Sequence, residues 1–258
     1  MDQQILMQET RFEALAVVFQ PVVRLEDGAL RGFEALARWP IKDSSSFSKP
    51  ELPEVLSALS RHVLEQAAAT FAGWRASCAG AQDLVLNVNL PGLDLYSEGL
   101  VGRVAEIVSK YAISPFALRL EVTEHDVLPD LARAREVIGS LAQAGIGVAI
   151  DDFGAGATSL MWLLELPVQC VKLDRDLVQA VHRGERGIHI VRHILALLNA
   201  LELETVAEGL ELVQTAEHLR QLGCKSGQGY LFAPPLTGTD AKGLIQLGAG
   251  AIWPYPPG

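Results

Sequence analysis

The sequence predicts an α/β fold: a barrel of parallel strands with helices packed outside it. Two observations point there first. From about residue 80 onward, short apolar runs alternate with amphipathic stretches of helical period. Crossovers repeated in this way share one hand and close naturally into a (β/α) barrel. A third is size. The chain has 258 residues, 49% of them hydrophobic, which suits one large core.

The elements follow in order. "AVVFQPVVRLEDGALRGFEALARW" (16–39) reads as two strands joined at the turn "EDG", a hairpin that a purely parallel barrel would lack. "IKDSSSFSKPELP" is a polar loop, and "EVLSALSRHVLEQAAATFAGW" an amphipathic helix. Strands are expected at 83–90, 116–124, 146–152, 168–174, 203–209 and 227–235. Between them lie the helices "GLVGRVAEIVSKYA", "DLARAREVIGSLAQAG" ending at Gly145, and the short "SLMWLLELP" stopped by Pro167. A long helix is expected from about Leu177 to Leu201, then "ELVQTAEHLRQLG" and a final "TDAKGLIQLG". Residues 1–16 read as a helical lead or linker, 17–248 as the folded domain and 249–258 as a tail.

Composition narrows the function. The formal net charge is -10, and such a surface disfavours long nucleic acid. A small anion can still bind where a metal or an arginine reverses the local field. Cys78, Cys170 and Cys224 are far apart in sequence, so neither a disulfide framework nor a zinc knuckle is expected, and a reducing cytoplasm fits. The N-terminus does not read as a signal peptide. No apolar run approaches the roughly 18 residues of a membrane span.

Polar residues close the predicted strands: Glu34, Asn89, Glu121, Asp151 with Asp152, Lys172, Glu208 and Gln228. In a barrel these ends converge on one face, which carries the chemistry. Carboxylates gathered there repel one another unless cations compensate them. Oxygen ligands with one amide, and no Cys or His, suit Mg²⁺ or Mn²⁺ rather than Zn²⁺. Asp151 is placed to bridge two ions, with Asp152 on the second. Two such ions about 4 Å apart serve in-line attack on a phosphodiester. Lys172 beside them can orient the attacking water, and neighbouring cations would lower its pKa. Singly, each feature has an ordinary reading: the aspartate pair as a helix cap with a solvated neighbour, "GAG" as a turn, Lys172 as a surface lysine. Their joint placement argues for a site. Two other motifs are set aside. "DFG" (152–154) lacks the other kinase signatures, and "HIVRH" (189–193) lacks the glutamate of the zinc-protease helix.

On these residues the chain resembles the EAL-domain family of cyclic di-GMP phosphodiesterases. Glu34-Ala35-Leu36 stands inside "GFEALARW", and "FQPVV", "NVNL", "LEVTE", "DDFG", "VKLDR", "AEGLE" and "GCKSGQGYLF" keep the family's order from about Phe19 to Leu236. The resemblance implies a modified TIM (β/α)8 barrel with an antiparallel first strand, which accounts for the N-terminal hairpin. It implies hydrolysis of cyclic di-GMP to linear pGpG with two Mg²⁺ or Mn²⁺ ions. Glu34, Asn89, Glu121 and Asp151 would hold the first ion, and Asp151, Asp152 and Glu208 the second. Lys172 would contact the nucleophilic water. Gln20, Arg38 and Gln228 would contact substrate, Arg38 on a phosphate. Glu124 would brace the loop after Asp152, and Glu211 the metal shell. The family also implies a homodimer, and it leaves open whether sensor or GGDEF domains flank this chain in a longer protein.

The sequence departs from the family in three places. "DDFGAGATSL" puts Ala155 and Ala157 where Thr and an aromatic are usual. No "FIPLAE" stretch follows Trp39, and Thr215 replaces a common Gln. These departures leave a second reading, a catalytically weak or inactive domain acting as a cyclic di-GMP receptor. A third, a protein scaffold that binds no nucleotide, fits the intact set of ligands least.

Overall fold

The computed structural model describes residues 15–38, 53–156 and 160–248. The expected lead (1–14), the segment where "FIPLAE" would stand (39–52), Ala157 and the tail (249–258) lie outside the described residues. Eight strands form a closed barrel in chain order. They are β1 (Ala16–Arg24), β2 (Leu30–Arg38), β3 (Val85–Asn89), β4 (Leu118–Thr123), β5 (Gly147–Phe153), β6 (Cys170–Leu173), β7 (Glu204–Ala207) and β8 (Ser226–Gly227). β1 runs antiparallel to both neighbours, β2 and β8. Every other pairing is parallel. The longer helices are α1 (Pro53–Ser77), α2 (Leu100–Lys110), α3 (Leu131–Gln143), α4 (Glu185–Ala200), α5 (Val213–Gln221) and α6 (Gly238–Leu247).

Strand period divides the barrel into two environments. Outward residues such as Phe33, Leu86, Leu118, Leu120, Ile150 and Val171 pack under the helices in one large apolar core. Trp74 of α1 anchors part of it, with ring centroids 4.7 Å from Phe19 and 5.1 Å from Phe33. Its indole N–H donates to the Gly238 carbonyl at 3.1 Å, tying α1 to the start of α6. Inward residues are different. Val22, Ala149, Cys170 and Val206 form a separate small apolar layer inside the barrel. On the same inward faces, Arg119 and Glu204 pair at 2.7 Å on one side of this layer, and the acidic strand ends lie on the other.

Two expected elements are corrected. The long helix over 177–201 is broken: a turn at Arg175–Val178 and a 3-10 segment at Gln179–His182 precede α4. Gly184 takes φ +78° at the break. α4 then passes so close to the segment before it that a Cβ on Gly187 would lie 1.9 Å from the Ala180 carbonyl oxygen. The last strand, expected over 227–235, is only Ser226–Gly227. Beyond it the chain folds back on the loop after β7: Leu210 N–H donates to the Gln228 carbonyl at 3.0 Å, and Leu231 N–H to the Leu210 carbonyl at 2.9 Å. The backbone groups are satisfied there by a loop instead of a ladder.

Two glycines give opposite expectations. Gly139 lies mid-helix in α3, and a Cβ added there would meet nothing within 4 Å. Gly139→Ala therefore stabilises by ~0.5–1 kcal/mol through helix propensity. Gly187→Ala forces α4 off its neighbour and costs ~2–3 kcal/mol. Thermal denaturation checks both: a small rise in Tm for the first, and a fall of roughly 5–10 °C for the second.

Candidate functional site

The Lys172 side chain rises from β6 into the centre of the barrel mouth and is 2% exposed. Four carboxylates from four other parts of the barrel surround its Nζ. Glu208 Oε1 lies at 2.7 Å, Glu121 Oε2 at 2.8 Å, Glu34 Oε2 at 3.2 Å and Asp151 Oδ1 at 3.2 Å. Glu34 accepts further bonds from Asn89 Nδ2 at 2.8 Å and Gln228 Nε2 at 2.7 Å. Gln228 Nε2 also donates to Gln20 Oε1 at 3.1 Å.

These contacts set the charges. Burial alone would lower the Lys172 pKa, but Glu121, Glu34, Glu208 and Asp151 outweigh it and hold it well above its usual value. The lowering expected from the sequence applies to Lys172 beside bound cations; the carboxylates on their own act in the opposite direction. Burial pushes Glu34 up, yet the Lys172 charge and the donors Gln228 and Asn89 hold it below the usual carboxylate value. Glu121 goes well above that value, through burial and then repulsion from Glu34, against the pull of Lys172. Burial first, and then Asp151, raise Asp152. Burial, opposed by Lys172, takes Glu208 to about 7.

Asp151 and Asp152 are consecutive, and in a regular strand they would point to opposite faces. The β5–β6 register slips between Ile150 and Phe153, and Asp152 takes φ +54°. Its backbone N–H donates to its neighbour's Oδ1 at 3.0 Å. With that turn, Asp151, Asp152 and Glu208 each offer an oxygen within 4.8 Å of the others, a set that could hold a metal ion. The wider cluster fits the expected cations. Its donors are carboxylate and amide oxygens, which hard divalent ions prefer. Glu121 Oε1 and Gln228 Oε1 are buried with no hydrogen-bond partner, so each keeps an acceptor available.

Above the carboxylates opens a cleft of about 400 Å³, lined by Gln20, Glu34, Asp151, Glu208, Glu211 and Gln228, among others. Asn89, Glu121, Asp152 and Lys172 adjoin it through the contacts above. Arg38 and Glu124 stand apart from the cleft. Arg38 is exposed at the end of β2 and is not among the residues lining the cleft. Glu124 is buried at the start of a single turn, Glu124–Val127, after β4. The loop it was expected to brace runs into 157–159, outside the described residues. Glu211 is exposed and accepts from Arg175 Nη2 at 2.9 Å. Arg175 and Tyr230 also line the cleft, and the sequence alone did not single them out. Arg175 follows "VKLD" directly, so the strand-end rule that found Lys172 extends to it.

The family model described as the EAL domain matches residues 3–235. The chain belongs to the EAL-domain family. Among solved structures, this EAL domain is similar to the EAL domain of Mycobacterium smegmatis DcpA, with a TM-score of 0.79 and 32% identity over 92% of this chain and 98% of that one. It is also similar to the PaMucR phosphodiesterase in its c-di-GMP complex, with a TM-score of 0.83 and 30% identity over 93% and 98% of the two chains. Among sequences, it is 32% identical over 237 residues to the bifunctional diguanylate cyclase/cyclic di-GMP phosphodiesterase MucR of Pseudomonas aeruginosa, covering 90% of this chain and 34% of MucR. An uncharacterized signaling protein of Caulobacter vibrioides is 35% identical over 227 residues, covering 86% of this chain and 27% of that protein. The EAL domain thus spans between about a quarter and two fifths of the curated relatives it matches.

Two expectations concern the buried charges. Lys172→Met leaves the carboxylates without their ammonium and costs ~3–5 kcal/mol in chelator at pH 8. The loss of Tm is smaller at pH 5, where the acids bind protons. Glu208 carries the second. Its carboxyl moves from the usual 4.5 to about 7, so between those values the folded chain holds a proton that the unfolded chain has released. Stability therefore falls as pH rises through that window. Denaturation in chelator from pH 4.5 to 7 shows this slope in the parent, and Glu208→Gln flattens it. An unchanged slope in the variant would assign it to other groups.

Proposed function

We propose that this EAL domain hydrolyses cyclic di-GMP to linear pGpG with two divalent cations, Mg²⁺ or Mn²⁺. One observation carries the reading: carboxylates from separate strands meet at one barrel mouth around Lys172, in a donor set of oxygens with buried acceptors left free. The names of MucR and of PaMucR bound to c-di-GMP support the choice of substrate.

In this proposal Glu34, Asn89, Glu121 and Asp151 would hold the first ion, and Asp151, Asp152 and Glu208 the second. Bound there, the ions supply Lewis acidity to the phosphodiester and make water a nucleophile at neutral pH. The rest falls to the chain's own side chains. Lys172 contacts the attacking water through Nζ and fixes its direction. Water oxygen attacks phosphorus in line, the bond from phosphorus to the 3′ oxygen breaks, and the proton that water gives up ends on that leaving oxygen. Gln228 and Gln20, already joined to each other and to Glu34, set the substrate's position over the carboxylates, and Arg38 reaches a phosphate from the edge. Glu124 braces the loop after Asp152, and Glu211 supports the metal shell.

The proposal extends to the setting. The domain works as a homodimer in the cytoplasm, within a longer protein that carries sensor or GGDEF domains. Among the described residues, no helix is long and apolar enough to cross a membrane, and Cys78, Cys170 and Cys224 are free and buried.

The test is incubation of purified protein with cyclic di-GMP and Mn²⁺, followed by chromatography. Linear product is expected and is lost in chelator. Glu34→Ala and Asp151→Asn each lower kcat by ~10²–10³-fold or more. Near-parental turnover in either variant overturns the metal assignment. Tight binding without linear product over hours replaces the enzyme reading with the receptor reading.

A further inference from the structure

The cleft over the carboxylates is acidic, while a cyclic dinucleotide is an anion. Among the described residues that line it, Arg175 is the single cation. The fold brings it there in three steps. Asp174, at the end of β6, accepts from the Asp176 N–H at 2.8 Å and starts the turn Arg175–Val178 three residues beyond Lys172. Gly209, at φ +63°, then leaves space that the Arg175 stem fills. A Cβ on Gly209 would lie 2.9 Å from Arg175 Cγ and 3.1 Å from its Cδ. Last, Glu211 Oε1 takes a hydrogen bond from Nη2 at 2.9 Å.

The stem is thus set by packing and the head by one acid. That ion pair is open to water, its side chains 60% and 51% exposed. Exposed pairs of this kind are weak. A phosphodiester offers the same guanidinium two oxygens in a fork geometry, two charge-assisted hydrogen bonds against the one that Glu211 accepts.

We propose that Arg175 binds a phosphodiester group of the substrate, releasing Glu211 as it does so. The inference rests on the cyclic di-GMP reading above. It adds a binding residue to Gln20, Gln228 and Arg38. Arg175 stands on the cleft wall, next to the loop of Glu208, whereas Arg38 stands outside the lining at the end of β2. The exchange involves no covalent step: one hydrogen-bonded anion replaces another.

Steady-state kinetics with cyclic di-GMP and Mn²⁺ on the parent, Arg175→Gln and Arg175→Lys test this. Loss of a charged hydrogen bond predicts a KM raised ~10–100-fold in Arg175→Gln. Uniform binding energy is what is lost, so kcat changes by less than about threefold. Arg175→Lys keeps the charge without the fork and falls between the two. The Tm shift produced by Mn²⁺ alone stays at the parental value in both variants, because the residue serves the anion and not the ions. A KM within about twofold of the parent in Arg175→Gln overturns the inference. So does a parallel loss of kcat and of the Mn²⁺ shift, which marks a structural role. If the parent binds cyclic di-GMP without hydrolysing it, the Kd from calorimetry takes the place of KM and the same ratios decide. A parent that neither binds nor hydrolyses cyclic di-GMP overturns the functional reading and this inference together. A normal Arg175→Gln in an active parent overturns the inference alone.

Discussion

One buried ammonium meets four carboxylates, and the architecture of the barrel mouth follows from that encounter. Removing charges from water is costly, and each acid held near the others adds repulsion. Lys172 offsets part of the cost by touching Glu34, Glu121, Asp151 and Glu208 at once. Three ammonium protons cannot satisfy every carboxylate oxygen, and Glu121 Oε1 is left without a partner. Burial first, and then repulsion among the acids, raises the pKa values of Glu121, Glu208 and Asp152. Such a basin suits small, doubly charged cations and, through them, a phosphate.

The barrel tolerates this basin because its stability is built elsewhere. The large apolar core lies between the outer faces of the strands and the helices, around residues such as Phe33, Phe71, Trp74, Leu120 and Ile138. The interior holds only a thin layer of Val22, Ala149, Cys170 and Val206. Below that layer, Arg119 reaches across to Glu204. The interior is therefore charged at both ends and apolar only between them.

Much of this was legible in the sequence, and the reasons differ by residue. Glu34, Asn89, Glu121, Lys172, Glu208 and Gln228 each interrupt or close an apolar run, and parallel strands bring such positions to one mouth whatever the loops do. The N-terminal hairpin was visible in "EDG". Other elements depended on contacts between distant segments. The helical period continues through 177–201, yet the chain breaks at Gly184, where φ is +78°, and α4 then passes close to the Ala180 carbonyl. β8 reads as a long strand, but Leu210 takes the hydrogen bonds that a longer ladder would have used.

By itself, then, the sequence determined the alternation of elements, the barrel class, the acidic character of the strand ends and the family. Those follow from local period and from residue type at fixed spacing. Tertiary structure alone decided how Asp151 and Asp152, adjacent on one strand, come to share a face: a register slip against β6 and a left-handed Asp152. It also decided that Arg175 rather than Arg38 lines the cleft, because Gly209, 34 residues further along, makes the space for its stem. Neither outcome is written in local sequence. Each depends on where a second strand or loop lies once the barrel has closed.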